Sequence, residues 1–540
     1  MKSCFPAIFL LIATVAGQVG PSLCGAREVQ ITILHTTDLH ATILPGTDYE
    51  GTKDVGGAAR CATMIQKIRS ERPNVLLVDA GDLYQGNALG YLTEGSVMTR
   101  YVNALNYDSW TLGNHEFDWG IDKIAARIKE TEVPILAANL HHKPQADTPG
   151  EITAAFQKVR PYIMREMDGV KIGVVGLDTP GVPNWSRPRL IPGIMVEDSV
   201  TTLKRVLPRM KADGAQILIL VTHQGIREQG DDHANQLYAV TQAFPELDVI
   251  IGGHTHRLHK EQMIRGILYT QANYWGTWLG RVDLIYDTEQ KRLTTKKSDA
   301  IPMDATVPMD PKLLKMLKPD LDKAEKFLNG KVGETLVQLD SLTGPKKETP
   351  IFNLICAAIA EAVESRGGHV DAVVHGLLNE RVALKPGPLT MRDVFEIVPY
   401  ENTIGVATLT RTQLLEVLEE NATAYYSGRF RGLWGLTMKL KPSAPDGKKV
   451  LFMGDRQGKS IASQARFRVA FNSFELASGG TRWARLRELA DHPESELHEY
   501  DFQTRDAVAE YIRKHSPLKI ENQGWWSVDR SRKSRDQSAP

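Results

Sequence analysis

Short apolar runs that end in Asp, Asn or His residues recur five times in the first half of this chain. Each run has the length and the Val, Ile and Leu content of a buried strand. The polar groups that follow the runs are Asp38-Leu-His40, Gly81-Asp82, Asn114-His115, His223 and Gly253-His254-Thr-His256. Because ligand-binding residues of open α/β sheets lie at the carboxyl ends of strands, we expect these groups to meet. Five converging groups of this composition predict a two-metal hydrolytic centre.

Strands and helices alternate through the part of the chain that carries these groups. The predicted strands are 29–34, 75–80, 133–137, 170–176, 217–221, 249–251, 264–272 and 279–286. The predicted helices between them are 57–72, 97–105 and 200–212. Runs of Val, Ile and Leu without polar alternation indicate strands that are covered on both faces. The pattern therefore predicts a layered α/β domain, closed by two antiparallel strands.

A second unit follows a charged segment of helical period. We interpret this segment, 306–330, as an interdomain helix that is entered at Asp310-Pro311. Beyond it, a second α/β domain is predicted from helices 352–365 and 412–421 and from strands 370–374, 404–409 and 466–471. A chain of 540 residues is too long for one hydrophobic core, which agrees with two domains. The predicted division is a signal segment at 1–26, the first domain at 27–305, the interdomain helix at 306–330, the second domain at 331–525 and a polar tail at 526–540.

The N-terminus has the parts of a secretory signal. Lys2 precedes an apolar run at 7–16, and small residues follow, so we expect cleavage near Ala26. A buried N-terminal helix is the alternative. After cleavage only Cys61 and Cys356 remain, which leaves no disulfide framework to interpret. No later run is apolar and long enough to span a bilayer, so we expect an exported periplasmic or extracellular protein without stable membrane insertion.

The charge balance excludes several classes of partner. The 65 basic residues of the chain equal its 65 acidic residues. Without a net field, binding to a nucleic acid polymer or to an anionic membrane is not expected. A small-molecule substrate becomes the expected partner. The sequence leaves the oligomeric state open.

The residue types of the five groups are those of mixed-ligand metal sites. Asp38 and His40 are two residues apart, so an extended segment would project both side chains to one side. Asp82 offers two oxygens, and a carboxylate can bridge cations roughly 3.5 to 4 Å apart. Further oxygen and nitrogen ligands are available from Asn114, His223 and His254. Ligands of this kind without thiolate suit Zn, Mn, Fe or Co, and the sequence does not choose among them.

His115 has a different role in this interpretation. It follows Asn114 and stands three residues before Asp118, whose carboxylate can hold the imidazole protonated. A protonated imidazole beside two metals would stabilise the transition state and the leaving oxygen. The alternative is that Asp118 caps a helix.

These groups resemble the calcineurin-like metallophosphoesterases, and with the second domain the chain resembles the 5′-nucleotidase family over nearly its whole mature length. The residues that carry the resemblance are Asp38-Leu-His40, Gly81-Asp82, Gly113-Asn-His-Glu116, His223 and Gly253-His-Thr-His256. The resemblance implies a four-layer α/β/β/α domain of the bacterial exported type, followed by a substrate-binding domain. It also implies two metal ions and the catalytic pair His115 and Asp118. The implied ligands are Asp38, His40, Asp82 and His256 for one metal, and Asp82, Asn114, His223 and His254 for the other.

The resemblance further implies that the second domain stacks a nucleotide base between two aromatic rings. Tyr400 in Val398-Pro-Tyr400-Glu-Asn-Thr matches the first aromatic segment of the family. Phe474 in Phe471-Asn-Ser-Phe474 resembles the second. Base stacking is worth roughly 1 to 3 kcal/mol per base and tolerates any base. Core packing is the alternative use of each ring.

Other positions of the second domain depart from the family pattern. Gly376-Leu-Leu-Asn-Glu-Arg381 replaces Asn-Gly-Gly-Gly-Ile-Arg and keeps the arginine. Lys347 replaces an arginine, and a lysine cannot make the bidentate fork to phosphate. Thr481 replaces an aspartate. Arg381 and Lys347 remain the expected polar contacts of the substrate.

The sequence therefore predicts an exported dinuclear phosphohydrolase that acts on nucleoside 5′-monophosphates. The same metal centre could instead act on 2′,3′-cyclic nucleotides, nucleotide sugars or a sulfur ester. A protein of another class, a secreted nucleotide-binding protein without turnover, would be favoured by a missing metal ligand. No ligand is missing from the sequence.

Overall fold

The computed structural model describes residues 28–342, 347–427 and 429–529. The predicted signal segment 1–26 and most of the predicted tail lie outside the described residues. Within the described part of the chain, no helix combines the length and the apolarity needed to cross a bilayer. Cys61 and Cys356 are both buried as free thiols.

Two six-stranded sheets form the framework of the first domain. The strands of this domain are β1 (Glu28–Thr36), β2 (Val75–Asp79), β3 (Ser109–Thr111), β4 (Ile135–Leu136), β5 (Leu140–His142), β6 (Tyr162–Met167), β7 (Val170–Leu177), β8 (Ile194–Val196), β9 (Ile217–Thr222), β10 (Val249–Ile251), β11 (Leu258–Ile264), β12 (Ile267–Ala272), β13 (Trp278–Asp287) and β14 (Arg292–Pro302). One sheet has the order β14-β13-β1-β2-β3-β4, and the other has the order β11-β12-β10-β9-β7-β6. Strands β1 to β4 are mutually parallel, and so are β7, β9, β10 and β12. Within each sheet the carboxyl ends of these strands therefore lie at one edge.

The two sheets pack against each other through alternate residues of their strands. Ile31 and Ile33 of β1 share a buried cluster with Val174 of β7 and Ile219 of β9. Leu34 of β1 belongs to a different buried cluster, which contains residues of the helices. Because successive side chains of a strand point to opposite faces, each sheet is apolar on both faces and covered on both.

Helices cover the outer face of each sheet. They are α1 (Ala58–Glu71), α2 (Ala88–Thr93), α3 (Ser96–Ala104), α4 (Ile121–Lys129), α5 (Gly150–Phe156), α6 (Ser199–Ala212) and α7 (Leu237–Ala243). Helix α6 is typical, since Asp198 caps its N-terminus and Leu203, Val206 and Met210 pack on the second sheet. Helices α1, α3 and α4 pack on the first sheet. The four-layer α/β/β/α order is thus confirmed.

Several predicted strands differ from the structure. The strand predicted at 264–272 begins later, as β12 at Ile267, because β11 ends at Ile264. Its predicted antiparallel direction holds only toward β11, since β12 is parallel to β10. Arg265 and Gly266 have φ values of 50° and 85° and form a two-residue turn between β11 and β12. The strand predicted at 133–137 is shorter and comprises β4 alone. Strands β6 and β14 were not predicted, since many of their residues face solvent and break the apolar pattern.

The predicted interdomain helix is present as α8 (Pro311–Leu328). Asp310 caps its first turn with its side chain. Leu317 is buried in the helix-lined core of the first domain. Near the other end, Glu325 pairs with Arg392 of the second domain at 2.9 Å. The helix is therefore attached to both domains.

The second domain is built on a five-stranded sheet of order β21-β17-β24-β20-β25. The strands of this domain are β15 (Lys331–Thr335), β16 (Leu339–Asp340), β17 (Ala372–His375), β18 (Ala383–Leu384), β19 (Gly387–Thr390), β20 (Thr403–Thr410), β21 (Gly432–Trp434), β22 (Thr437–Leu440), β23 (Val450–Gly454), β24 (Arg466–Asn472), β25 (His498–Gln503) and β26 (Trp526–Val528). Its helices are α9 (Pro350–Glu364), α10 (Met391–Ile397), α11 (Arg411–Thr423), α12 (Ser473–Leu476), α13 (Ala484–Asp491) and α14 (Thr504–His515). Helix α9 is buried along most of its length, which agrees with its apolar sequence.

The folded part of the second domain continues beyond the predicted boundary at residue 525. Strand β26 pairs in parallel with β22, and Trp526 is buried against Phe352 with ring centroids 4.8 Å apart. The first three residues of the predicted polar tail, 526–528, are therefore part of the folded domain. Sequence patterns missed this strand because it is three residues long and follows a polar segment.

Candidate metal centre

The five polar groups lie at adjoining edges of the two sheets. Asp38, Asp82 and Asn114 follow β1, β2 and β3 of the first sheet. His223 directly follows β9 of the second sheet, and His254 follows β10. Parallel strands bring these loops to the same edge, as the sequence pattern predicts.

The turns that carry the predicted ligands have an unusual backbone. Asp38, His40, Asp82, His254 and His256 have φ values of 51°, 48°, 57°, 71° and 53°. Residues other than glycine rarely adopt this region, and strain of this kind concentrates at functional sites. The extended segment predicted for Asp38 and His40 is therefore wrong. Their side chains meet because both residues turn.

Asp38, His40 and His256 form a first cluster, whose possible ligand atoms all lie within 4.8 Å of one another. Nε2 of His256 lies 3.3 Å from Oδ1 of Asp38 and 3.0 Å from Nε2 of His40. Nδ1 of His40 donates to the carbonyl oxygen of Gln85 at 2.6 Å. Nε2 of the neutral ring therefore carries the lone pair that can bind a metal. Burial lowers the pKa of His40 to about 4, so its ring is neutral at pH 7.

Asp82, His223 and His254 form a second cluster of the same dimensions. Nε2 of His223 lies 3.0 Å from Oδ2 of Asp82. Nδ1 of His254 lies 2.9 Å from Oδ1 of Asn114. Nδ1 of His223 donates to the carbonyl oxygen of Ala80 at 2.7 Å, so the Nε2 of this ring also points to the cluster.

The donor atoms of the two clusters are suited to divalent cations. Nε2 of the buried His223 lies 3.0 Å from Oδ2 of Asp82. Burial lowers the pKa of His223, but the charge of Asp82 raises it to about 10, so a proton lies between the two atoms. A divalent cation bound by both atoms would replace this proton. Nitrogen and oxygen donors without thiolate suit Zn, Mn, Fe or Co.

Asp82 belongs to the second cluster and also faces the first. Its Oδ2 is 3.0 Å from Nε2 of His223 and 3.9 Å from Nε2 of His40. Its Oδ1 accepts a hydrogen bond from the backbone N–H of His115 at 2.9 Å. Burial alone would raise the pKa of this carboxyl, but the charges of His223 and His115 hold it well below its usual range. An ionised carboxylate in this position can face a cation on each side.

His115 and Asp118 form a pair beside the clusters. The segment Asn114–Phe117 is a 3-10 turn, and it places Nδ1 of His115 2.6 Å from Oδ2 of Asp118. Burial lowers the pKa of His115, but the charges of Asp118 and Asp82 raise it to about 10. The imidazole belongs to neither cluster, and Nδ1 is engaged by Asp118. Its Nε2 is therefore the ring atom left to act on a substrate.

Glu116 is a site residue to which the sequence analysis assigned no role. Its buried carboxylate accepts hydrogen bonds from the backbone N–H groups of Gly113 at 2.6 Å, Leu83 at 2.7 Å and Asp82 at 3.1 Å. These bonds tie the loop after β2 to the turn after β3. An acidic residue three positions after Gly113, at the start of a turn, was the available sequence signal.

An aromatic wall that the sequence analysis missed covers the first cluster. The Tyr49 ring lies 6.1 Å from the His256 ring, with an angle of 15° between the planes. It also packs on Tyr274 and Trp275, with centroids 4.7 Å and 4.4 Å away. Tyr49 is 45% exposed, so part of the ring remains accessible to solvent. It lies in a loop without periodicity, which left no pattern to detect.

The two aromatic residues predicted to stack a base lie on the second domain. Tyr400 is 43% exposed. The pKa of Tyr49 is raised by the burial of Tyr49 and, across the domain boundary, by the nearby phenol of Tyr400. Phe474 is half-buried, and the guanidinium carbon of Arg482 lies 5.6 Å from its ring centroid. Their role in binding a base stays a prediction.

The two basic residues predicted to contact substrate are placed differently from each other. Arg381 donates a hydrogen bond from its guanidinium to the backbone carbonyl oxygen of Tyr49. It therefore joins the second domain to the aromatic wall. Lys347 is exposed, shortly before α9. Substrate binding by either residue stays a prediction.

A buried ion pair supports the contact between the domains beside the first cluster. Arg505 and Glu401 are both buried and lie 2.6 Å apart. The other carboxylate oxygen of Glu401 accepts from the side-chain amide of Gln85. The carbonyl oxygen of Gln85 holds His40, as described above. His40 of the first cluster is thus connected to the second domain through Gln85.

Comparisons with known proteins agree with this architecture. Residues 31–258 match the family model described as calcineurin-like phosphoesterase, and residues 331–488 match the one described as 5′-nucleotidase, C-terminal domain. The chain is 26% identical to the 5′-nucleotidase of Bos taurus, over 91% of this chain and 90% of that protein. It is 26% identical to the trifunctional nucleotide phosphoesterase protein YfkN of Bacillus subtilis, over 93% of this chain but 39% of that protein. A putative 5′-nucleotidase from Staphylococcus aureus has the same fold, with a TM-score of 0.78 and 20% identity over 93% of this chain and 100% of that one.

The layered fold and its paired Asp and His clusters define a phosphoester hydrolase of the calcineurin-like class. A 5′-nucleotidase C-terminal domain follows in the same chain. The protein belongs to the 5′-nucleotidase family, which confirms the family expected from the sequence motifs.

Proposed function

We propose that this protein is a dinuclear-metal phosphohydrolase that releases phosphate from nucleoside 5′-monophosphates. The observation that carries the proposal is the position of Asp82 between two clusters that each contain two histidines. Named relatives of similar length, such as the bovine 5′-nucleotidase, support the substrate class. The proposed ligands are Asp38, His40, Asp82 and His256 for one cation, and Asp82, Asn114, His223 and His254 for the other.

Two divalent cations at these clusters would activate water and neutralise charge on the phosphoryl group. The residues of the chain supply the remaining functions. His115, kept protonated by Asp118, donates a hydrogen bond from Nε2 to the phosphoryl or leaving oxygen. Glu116 holds the ligand loops in place through their backbone N–H groups. Tyr49 restricts water on one side of the centre.

On the second domain, Tyr400 and Phe474 stack the base, while Arg381 and Lys347 contact polar parts of the substrate. In the described conformation Arg381 is bonded to Tyr49, so its contact with substrate requires that this bond be exchanged. The altered segment that begins at Gly376 leaves the ribose and base edge with few fixed partners. We therefore expect broad preference among bases.

We also propose that the protein is exported after cleavage near Ala26, because the N-terminal run has the length and composition of a signal. Mass analysis of the mature protein from the source cells, separated into cytosolic and external fractions, tests this proposal. An intact N-terminus in the cytosolic fraction alone would contradict it.

The central experiment measures metal content and activity together. Protein stripped with a chelator is reloaded with Zn, Mn, Fe or Co and assayed with AMP, GMP, UMP, a 2′,3′-cyclic nucleotide, a nucleotide sugar, a thiosulfate ester and p-nitrophenyl phosphate. We expect two equivalents of bound metal and the highest kcat/KM for 5′-monophosphates. A higher kcat/KM for another class would assign that class instead. Tight nucleotide binding by the metal-loaded protein without turnover of any compound would identify a binding protein.

A further inference from the structure

Arg482 of the second domain lies beside the ring of Phe474, and Arg429 and Arg431 are near enough for their charges to act on Arg482. Arg429 and Arg431 flank the buried Phe430, and Arg482 follows the loop after α12. The Arg482 guanidinium lies over the Phe474 ring at 5.6 Å, and its Nε donates to the carbonyl oxygen of Gly479 at 2.8 Å. Burial and the nearby charges of Arg429 and Arg431 lower the pKa of Arg482 to about 10.

This arginine cluster has too little negative charge around it to be a structural ion network. Arg431 donates from Nε to the buried carboxylate of Glu475 at 2.7 Å. Among the ion pairs of the described residues, neither Arg429 nor Arg482 has a carboxylate partner. One carboxylate, Glu475, thus stands against three guanidinium groups, and a bound anion would reduce the repulsion that remains among them. The cluster is therefore suited to a ligand that brings negative charge.

Arg431 packs directly on the backbone of Gly376. A Cβ at Gly376 would lie 2.4 Å from Cδ and 2.6 Å from Nη1 of Arg431, so the arginine crosses this position only because residue 376 is glycine. Gly376 is also where the sequence departs from the family pattern. The guanidinium of Arg431 thus occupies the space that the asparagine side chain of the family pattern would fill at position 376.

Buried polar atoms next to the cluster have no partner. Within the described residues, Oε2 of Glu475, Nε2 of His375 and Nδ2 of Asn472 are buried without a hydrogen bond. Glu475 is the residue that holds Arg431. Burial lowers the pKa of His375, and the charge of Arg431 acts in the same direction while that of Glu475 opposes it. Buried polar atoms are normally paired, so these three atoms leave hydrogen-bonding capacity beside the arginines for water or for a ligand.

The loop that carries Arg482 contacts the first domain next to the second cluster. Gly480, two residues before Arg482, donates from its backbone N–H to the carbonyl oxygen of Asn184 on the first domain at 3.1 Å. A Cβ at Gly480 would lie 2.8 Å from Nε1 of Trp185, and the Trp185 ring lies 5.0 Å from the ring of His254. The loop before Arg482 therefore packs on the aromatic ring that lies beside a predicted metal ligand.

We propose that Arg429, Arg431 and Arg482 form an anion subsite that binds a second negatively charged group, a phosphate or carboxylate, on the leaving group of the phosphoester. The inference rests on the proposed phosphohydrolase function, and it names the preferred substrate class as phosphomonoesters with two anionic groups. Guanidinium groups suit this task because they present planar, bidentate donors to phosphate and carboxylate.

The test compares matched substrates that differ in one phosphate. The kcat/KM values of metal-loaded protein are measured for AMP and for adenosine 3′,5′-bisphosphate. We expect the wild type to prefer the bisphosphate by roughly tenfold or more, since hydrogen bonds to charged groups are the strong ones. In Arg482→Gln and Arg429→Gln this preference should fall by roughly tenfold. Arg466→Gln, which removes an exposed arginine of the same domain, should keep the wild-type preference.

A second pair of substrates separates failure of the subsite from failure of the nucleotide assignment. If p-nitrophenyl phosphate is hydrolysed but neither nucleotide is, the nucleotide assignment fails. The kcat/KM values of glucose 6-phosphate and glucose 1,6-bisphosphate, measured with the same variants, then test whether the anion subsite exists. A wild type that does not prefer the bisphosphate in the pair it hydrolyses would overturn the anion subsite. So would an unchanged preference in folded Arg482→Gln and Arg429→Gln.

Discussion

Nε2 of His223 lies 3.0 Å from Oδ2 of Asp82, and this contact joins the carboxyl edges of two different sheets. Asp82 follows β2 of the first sheet, whereas His223 follows β9 of the second. The metal centre therefore lies where the sheets meet, and neither sheet could form it alone. Cation binding should stabilise the packing of the sheets as well as the site, because it adds free energy to the folded state only.

Asp82→Asn should remove at least one equivalent of bound metal. The substitution preserves shape but removes the negative charge that separates the two clusters. Metal analysis after dialysis checks this expectation, with wild type prepared in parallel. Two tightly held equivalents together with normal turnover would show that Asp82 is not the shared ligand.

His115→Ala should lower kcat by roughly 10² to 10⁴ while metal content stays near that of the wild type. The reason is that His115 belongs to neither cluster and is held by Asp118 at 2.6 Å. Asp118→Asn should give a smaller loss of kcat, since it removes the charge that keeps the imidazole protonated. Loss of metal from the His115 variant would instead assign this residue as a ligand.

Gly113→Ala should disrupt the candidate metal centre by steric clash alone, without strain in the backbone. The added Cβ would lie 2.3 Å from Oδ1 of Asp82 and 2.9 Å from Cγ of His223. Gly113 has a φ of −114°, which alanine adopts without strain. Because small displacements of catalytic groups are costly, we expect kcat/KM to fall by roughly 10². Gly150→Ala is the matched control, since no atom lies within 4 Å of its added Cβ.

Arg505→Met should destabilise the protein by about 3 to 5 kcal/mol, because it leaves the buried carboxylate of Glu401 without its partner. Urea unfolding of the metal-free protein measures the change. The exposed pair of Lys318 and Asp322 on α8 provides the control, and Lys318→Met should cost about 1 kcal/mol or less. Equal effects of the two substitutions would mean that burial of the Glu401 pair has no energetic consequence.

Tyr400→Ala and Phe474→Ala should each reduce kcat/KM for AMP by a factor of roughly 5 to 150, the equivalent of about 1 to 3 kcal/mol of base stacking. Similar losses are expected for GMP and UMP, because stacking tolerates any base. Hydrolysis of p-nitrophenyl phosphate should change little. Equal losses on AMP and p-nitrophenyl phosphate would indicate core residues, and unchanged AMP kinetics would point to a substrate without a base.

The sequence by itself determined the layered α/β class and the residues that meet in the candidate metal centre. Apolar runs specify buried strands through side-chain period, and Asp, Asn and His directly after them predict where ligands would lie and which donor atoms they would offer. These are local properties, readable one segment at a time. For that reason Asp82 and His223 could be named before their sheets were known to meet.

Only the tertiary structure decided the features that depend on contacts between distant segments. The left-handed turns at Asp38 and His40 replaced the extended segment expected from their spacing. The hydrogen bonds from two loops to Glu116 and the packing of Tyr49 on His256 leave no periodic pattern in the sequence. Arg431 came to lie on Gly376 because β17 and β21 are neighbours in the sheet. Such contacts arise from packing and chain topology, which one-dimensional patterns do not encode.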